Sequence, residues 1–305
     1  MKEFDFIRWI IDQARLDVAA VPVGPGDDCA VLNFGSERLL VTVDQVLDGV
    51  HLDVARDGFE AAGYKAAARN LSDIAAMAGE PVAMVAALAA PSGLTIEQAQ
   101  DIHAGLRRAG DAFACPLVGG DVASWGQAGG RLLLSVTVLG RSAGVRPVLR
   151  RGAREGDAIC VTGELGGAWR SRRHLEFVPR VREARRLAAR CELHAMIDIS
   201  DGLAADLGHI AAASGLAAEL DAAAVPIHAD ARTQSDPLEA ALHDGEDYEL
   251  LFCIEPEQAR KLVAEQPLGV PVHIIGRMGA GAGLTLVAPD GSRRALEPRG
   301  WEHST

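Results

Sequence analysis

The chain has 305 residues, 49% of them hydrophobic, which supplies buried cores for two domains of ordinary size and excludes a disordered protein. A formal net charge of −12 excludes the basic footprint of a nucleic-acid surface, and an aromatic content of 4% gives no base-stacking platform. The longest apolar run, 82–90, is too short to span a bilayer and the start, Met-Lys-Glu-Phe, has no signal-peptide pattern, so a cytoplasmic enzyme without membrane partners is expected.

In chain order, helical spacing predicts a helix over 4–16, followed by a Pro/Gly-rich stretch that ends at Asp27-Asp28. A strand is predicted over 38–47, a long Ala-rich helix over 58–78, a buried strand over 82–90, a helix over 95–113, and strands over 115–118 and 131–139. A charged connector, 141–157, carries Arg146, Arg150, Arg151 and Arg154 and places a domain boundary after residue 140, dividing the chain into 1–140 and 141–305. Beyond it, 158–162, 195–199, 250–254 and 270–275 read as strands, and 183–190, 203–213 and 256–265 as helices. Both halves are mixed α/β. The five cysteines are dispersed without any Cys-x-x-Cys pair, so neither a disulfide framework nor a zinc site is indicated, and most should be small core residues.

The chemistry lies in aspartates joined to Gly, Ser or Thr at the ends of apolar runs: Gly-Pro-Gly-Asp27-Asp28, Val-Thr42-Val-Asp44, Asn-Leu-Ser-Asp73, Gly119-Gly120-Asp121 and Ile-Asp198-Ile-Ser200-Asp201-Gly. Taken singly, each is a turn residue or a helix cap. Taken together they fit hard oxygen ligands for Mg²⁺, which one or two carboxylates per ion and substrate phosphates usually complete, so this many acids suggest several ions on a polyphosphate. Gly119-Gly120-Asp121 reads as a tight turn after a strand, with glycines that let backbone N–H groups approach phosphate. The Asp198–Asp201 segment places oxygens at a strand end and a helix N-terminus, where phosphate is favoured. In His243-Asp-Gly-Glu246-Asp-Tyr-Glu249, the acids suit a cationic or hydroxylated substrate, against the plainer account of a solvated loop; His51 alone is more often structural than catalytic. There is no Walker-type P-loop, no protein-kinase motif set and no Gly-x-Ser-x-Gly elbow.

In this order, G-P-G-D-D-C-A-V, T-V-D-Q-V-L-D-G-V-H, G-Y-K-A-A-A-R-N-L-S-D-I-A-A-M, G-G-D, A-M-I-D-I-S-D-G-L-A-A-D-L and G-E-D-Y-E-L-L-F closely resemble the thiamine-monophosphate kinases, relatives of aminoimidazole ribonucleotide synthetase, from about Gly24 to Trp301. The resemblance implies a two-domain aminoimidazole ribonucleotide synthetase-like fold of mixed α/β class, and a homodimer joined through its N-terminal sheets. It implies transfer of the γ-phosphoryl group of ATP to thiamine monophosphate, giving thiamine diphosphate and ADP. Asp27, Thr42, Asp44, Asp73, Asp121, Asp198 and Asp201 are the implied Mg²⁺ ligands, with Asp44, Asp73, Asp121 and Asp198 central to catalysis. Gly119, Gly120, Arg150 and Ser200 would contact ATP, while His51, Glu246 and Trp301 would hold thiamine phosphate. The chain departs from the pattern at Val43 in place of Thr, Asp244 in place of Gly, Arg69 in place of a small residue, and in a short, arginine-rich segment at 166–190. The readings set against it are another ATP-using member of the superfamily, a silent nucleotide-binding protein and a metal-dependent phosphate hydrolase.

Overall fold

The computed structural model describes residues 11, 17–126 and 129–301. The helix predicted over 4–16 lies outside them except for Ile11, which is helical. Each half builds its own sheet. The first is five-stranded, made of β1 (Ala30–Phe34), β2 (Glu37–Leu47), β3 (Glu80–Ala90), β4 (Leu117–Ser124) and β5 (Leu133–Arg141) in the order β1-β2-β5-β3-β4. β2 and β3 flank β5 antiparallel, and β4 joins β3 in parallel. A parallel pair needs a crossover. That crossover contains α2 (Ile96–Asp111), whose start is fixed by a capping box: Thr95 Oγ1 accepts from the Gln98 N–H and Gln98 Oε1 from the Thr95 N–H.

The long helix α1 (Phe59–Ala76) is buried along almost its whole length, because its alanines let it approach the sheet, α2 and the second half of the chain at once. Its Leu71 and Ile74 are fully buried, each contributing roughly 1.5–3 kcal/mol by removal from water. The second sheet is seven-stranded, in the order β12-β11-β8-β10-β6-β9-β7. Its members are β6 (Ala158–Thr162), β7 (Ala195–Asp198), β8 (Ala217–Asp221), β9 (Leu250–Ile254), β10 (Val272–Gly279), β11 (Gly283–Val287) and β12 (Arg293–Leu296). Helices α3 (Val181–Arg190), α4 (Leu203–Ser214), α5 (Pro237–His243) and α6 (Pro256–Glu265) complete this half. β6, β7 and β9 are buried at every residue, as strands covered on both faces should be.

The halves also share apolar cores. Leu175, Phe177 and Tyr248 pack into the core of the first half, and Ala75 and Ala78 into one core of the second, against which Phe113 also packs. This packing fixes the strand ends of both sheets against each other, and the site lies there. Four cysteines are buried, Cys191 is half-buried, and all five are free. No helix among the described residues is long and apolar enough to cross a membrane.

Three expectations need correction. The strand placed at 115–118 begins at Leu117 and runs through Gly119-Gly120-Asp121 to Ser124, so these residues are not a turn. Glycine is needed at 120 for a different reason: a Cβ there would lie 2.1 Å from the Ala86 carbonyl of the neighbouring strand. Neither Ser200 nor Asp201 occupies the N-cap of α4; Gly202 does, and Asp206 accepts from the Asp201 and Gly202 N–H groups.

Candidate functional site

A cavity of about 690 Å³ lies between the two halves, lined by residues drawn from stretches throughout the chain. Asp27 and Asp28 come from the loop before β1, Thr42 and Asp44 from β2, and Arg69 and Asp73 from α1; Asp198, Ser200 and Asp201 follow β7. Arg150, His51, Glu246 and Trp301 complete the wall. Of the acids at 246–249, Asp247 and Glu249 are outside it. Of the ligand and substrate-contact residues that the resemblance implies, Gly119, Gly120 and Asp121 are outside it as well. The register explains why: Asp44 pairs with Val136, Val136 with Ala86 and Ala86 with Gly120. Asp121, one residue on, therefore points to the opposite sheet face, three strands and about 14 Å away at ~4.8 Å per strand.

One face of α1 organises the acids. Lys65, Arg69, Ser72 and Asp73 fall at helical spacing, so their side chains form one stripe. Ser72 Oγ donates to Asp198 Oδ2 at 2.5 Å, Thr42 Oγ1 donates to Asp73 Oδ2 at 2.5 Å, and Arg69 Nε lies 3.2 Å from Asp44 Oδ2. Across the cavity Arg150 grips Asp28 with two donors, Nη2 to Oδ1 at 2.7 Å and Nε to Oδ2 at 3.3 Å, while its backbone N–H points at the Asp27 carboxylate.

Asp28, Asp73 and Asp198 each offer an oxygen within 4.8 Å of the other two, and Asp201, Asp206 and His209 form a second such group. Burial, then Asp44 and Asp198, push Asp73 well above the carboxylate range. Burial, then Asp28, raise Asp198 to about 7, and burial and Asp28 also raise Asp27 to about 6 against the pull of Arg150. Carboxylates so placed resist simultaneous ionisation unless a further cation neutralises them. Their oxygens are hard donors, so the set fits Mg²⁺ rather than a soft metal.

The acceptor end is built around Lys65, which the sequence reading passed over. Its ammonium is fully buried and its three hydrogens have three acceptors: the His51 carbonyl at 2.8 Å, His174 Nδ1 at 2.7 Å and Glu246 Oε2 at 2.5 Å. His174 Nδ1 is therefore the acceptor nitrogen, and its 3.4 Å approach to Glu246 is a contact rather than a hydrogen bond. Burial lowers His174, consistent with a neutral ring. Burial opposes ionisation of Glu246, but Lys65, His174 and Arg69 together overcome it and hold the carboxyl at about 2. Burial also brings Lys65 down to about 8, against Glu246, so the pair is ionised at neutral pH. His51 Nδ1 accepts from the Leu47 N–H, which fixes its ring at the cavity wall.

The arginine-rich segment holds the acidic loop residue by residue. Arg173 donates to Asp247 at 3.0 Å, Phe177 stacks on Tyr248 with ring centres 3.8 Å apart, and Arg180 pairs with Glu249 through two nitrogens. Glu246 and Tyr248 both take positive φ, 61° and 52°, a backbone strain that this clasp sustains. Asp244, one of the departures, accepts from the Gly167 N–H and from Gln234 Nε2, tying the same two segments together. Trp301 is anchored by its backbone N–H to the Asp201 carbonyl at 3.1 Å. The sequence signal for Lys65 was its helical spacing from Asp73, and that for Asp206 its place near the end of the A-M-I-D-I-S-D-G-L-A-A-D-L stretch; His174 carried no comparable signal.

Residues 26–142 match the family of AIR synthase related protein, N-terminal domain, and residues 154–289 match its C-terminal domain. A thiamine-monophosphate kinase of Rhodopirellula baltica is 36% identical, the match covering 99% of this chain and 97% of that one; the Escherichia coli protein of the same name is 33% identical over 99% and 98%. The solved structure of AaThiL complexed with AMPPCP and TMP superposes with a TM-score of 0.85 at 29% identity, covering 99% of this chain and 97% of that one. With two AIR synthase related domains and kinase relatives along its full length, the chain belongs to the thiamine-monophosphate kinase family.

Proposed function

We propose that this protein is a thiamine-phosphate kinase, transferring the γ-phosphoryl group of ATP to thiamine monophosphate. The observation that carries this reading is the junction of two environments: a carboxylate-rich chamber with two arginines, Arg69 and Arg150, and an aromatic recess containing the half-buried Glu246. The names of the full-length relatives and the AMPPCP and TMP of the AaThiL structure point to the same pair of substrates.

The acceptor is a phosphate oxygen, already anionic near neutral pH, so transfer needs no general base; the obstacle is repulsion between two polyanions. Bound Mg²⁺ would offset that repulsion and orient the phosphates. Asp27, Asp44, Asp73, Asp198 and Asp201, with Thr42, would hold it; Asp28, close enough to Asp73 and Asp198 to join them, pairs with Arg150, and Ser72 donates to Asp198. Arg150 and Ser200 would face ATP, and His51, Glu246 and Trp301 the acceptor. Gly119, Gly120 and Asp121 have no place in this protomer's cavity. They lie on the exposed edge and outer face of the first sheet, so any part in catalysis would be played in a second copy's site. The reading includes that homodimer, a division between domains after residue 140, and a cytoplasmic location where ATP is supplied.

Product analysis with ATP, Mg²⁺ and thiamine phosphate, omitting acceptor or metal in turn, tests it. Equal amounts of thiamine diphosphate and ADP that depend on both are expected, with transfer lost in Asp198→Asn. ADP and inorganic phosphate without thiamine diphosphate would replace the kinase with a hydrolase.

A further inference from the structure

Beside the carboxylate chamber lies a smaller recess of about 210 Å³ whose lining includes Trp169, Trp301, His51 and Glu246. Recesses that enclose a whole drug-sized ligand usually measure ~300–1,000 Å³, so this one suits a single ring system rather than a nucleotide. Trp301 belongs to the C-terminal stretch of the family resemblance. Trp169 lies within the segment that departs from it, and nothing in the resemblance gives it a role.

The chain is shaped to put Trp169 there. Gly166 and Gly167 both take left-handed φ, 91° and 77°, and a Cβ on either would lie 2.6–2.7 Å from backbone nitrogen of Ala241 or Ala231. The single helical turn Ala168–Ser171 follows, and the left-handed Arg172 returns the chain so that the His174 ring stacks on the Trp169 indole at 4.4 Å and 22°. His174 is fully buried, and its Nδ1 is held by the Lys65 ammonium that also holds Glu246. Trp169 is nonetheless 41% exposed, a large indole left open to solvent although its neighbour is rigidly fixed. A side chain supported in this way is pre-organised, and its uncovered area is available to a flat ligand. Lys65 Nζ lies 5.3 Å from the indole centre, so the ring tolerates a cation next to it.

The geometry points to Trp169 as a specificity-determining residue of the acceptor recess, where it stacks on the flat nitrogen heterocycle of the acceptor, with His174 as the positioning residue that supports it and couples it to Glu246. This rests on the kinase reading for the identity of the acceptor, but the contact itself is a binding property. Stacking between π faces and attraction of a cationic ring to an indole are the interactions used, and Glu246 supplies the opposite charge.

The test is calorimetric binding of thiamine phosphate to the full-length protein in Mg²⁺ with a non-hydrolysable ATP analogue, alongside steady-state kinetics of both substrates. Trp169→Leu should weaken thiamine phosphate binding and raise its KM at least tenfold. Trp169→Phe should recover most of the loss, and the KM for ATP and the melting temperature should stay close to wild type in both. His174→Leu should raise the same KM by a smaller factor. If wild-type protein binds thiamine phosphate and Trp169→Leu binds it equally well, the assignment is overturned while the kinase reading stands. If wild type binds it without turnover and the variant loses binding, the recess is as assigned and the kinase reading fails. Absence of binding by folded wild-type protein overturns both.

Discussion

The charge on Lys65 is held in a fully buried position. Burial alone would neutralise an ammonium, and its three acceptors keep it charged; its displacement from 10.5 to about 8 and that of Glu246 from 4.5 to about 2 are similar in size and opposite in their effect on stability. The pair therefore orients Glu246 more than it stabilises the fold. Replacing Lys65 by Met should cost about 3–5 kcal/mol in denaturant unfolding, because it leaves a carboxylate enclosed without its cation. The double variant Lys65→Met with Glu246→Gln should recover much of that loss; a double variant as unstable as the single one would show that packing, not charge, sets the cost. The pH dependence has a definite sign. Glu246 in the unfolded chain takes up a proton near pH 4.5 whereas the folded site refuses it until about pH 2, so its contribution is complete above pH 4.5 and is lost as pH falls towards 2. The stability gap between wild type and Glu246→Gln should shift against wild type across that interval, measured by unfolding at each pH.

At the level of elements, α1 shows both what the sequence discloses and what it hides. Its length and Ala-rich core were legible from composition and period, and its Asp73 from the Asn-Leu-Ser-Asp setting. The other members of its polar stripe were equally spaced, but each is explained only by its partner: Lys65 by the 246–249 loop, Arg69 by β2, and Ser72 by β7. Those partners are up to 181 residues away in sequence, beyond any local pattern. The strands that escaped notice have the same origin. Ala217–Asp221 has an Ala-rich composition with little intrinsic preference for a strand, and exists as one because β10 and β11 pair on either side of it. Position of the stripe also depends on how closely α1 approaches α2. A Cβ on Gly63 would lie 2.0 Å from the Ile102 carbonyl, and one on Gly105 2.0 Å from the Glu60 carbonyl. Gly63→Ala must push the helices apart, at a cost of about 1–3 kcal/mol typical of overpacking. It should also lower turnover, since Ser72 and Asp73 move with the helix; destabilisation with unchanged kcat would show that the displacement is absorbed away from the site.

For the molecule as a whole, the first sheet presents a question of coverage. One face packs on α1 and α2, but Val43 and Val85 lie 61% and 37% exposed on the other, where the register sets both opposite Thr137. The edge strand β4 has exposed Val118 and Val122 besides an unpaired ladder side. Contiguous apolar surface and an open strand edge are liabilities that soluble proteins cover or charge. A second copy of this chain is the occupant consistent with the family's expected dimer, and it would account for Asp121, which shares that outer face and has no function inside its own protomer's cavity. A charge buried between subunits without a partner is strongly unfavourable. Val85→Glu should therefore convert a dimer to a monomer in sedimentation velocity while leaving the monomer folded by circular dichroism. If Gly119, Gly120 and Asp121 serve a neighbouring site, the monomer should also lose phosphoryl transfer, whereas a fully active monomer would confine catalysis to the cavity of one chain. Wild-type protein that sediments as a monomer at micromolar concentration would remove the dimer and, with it, any role for Asp121.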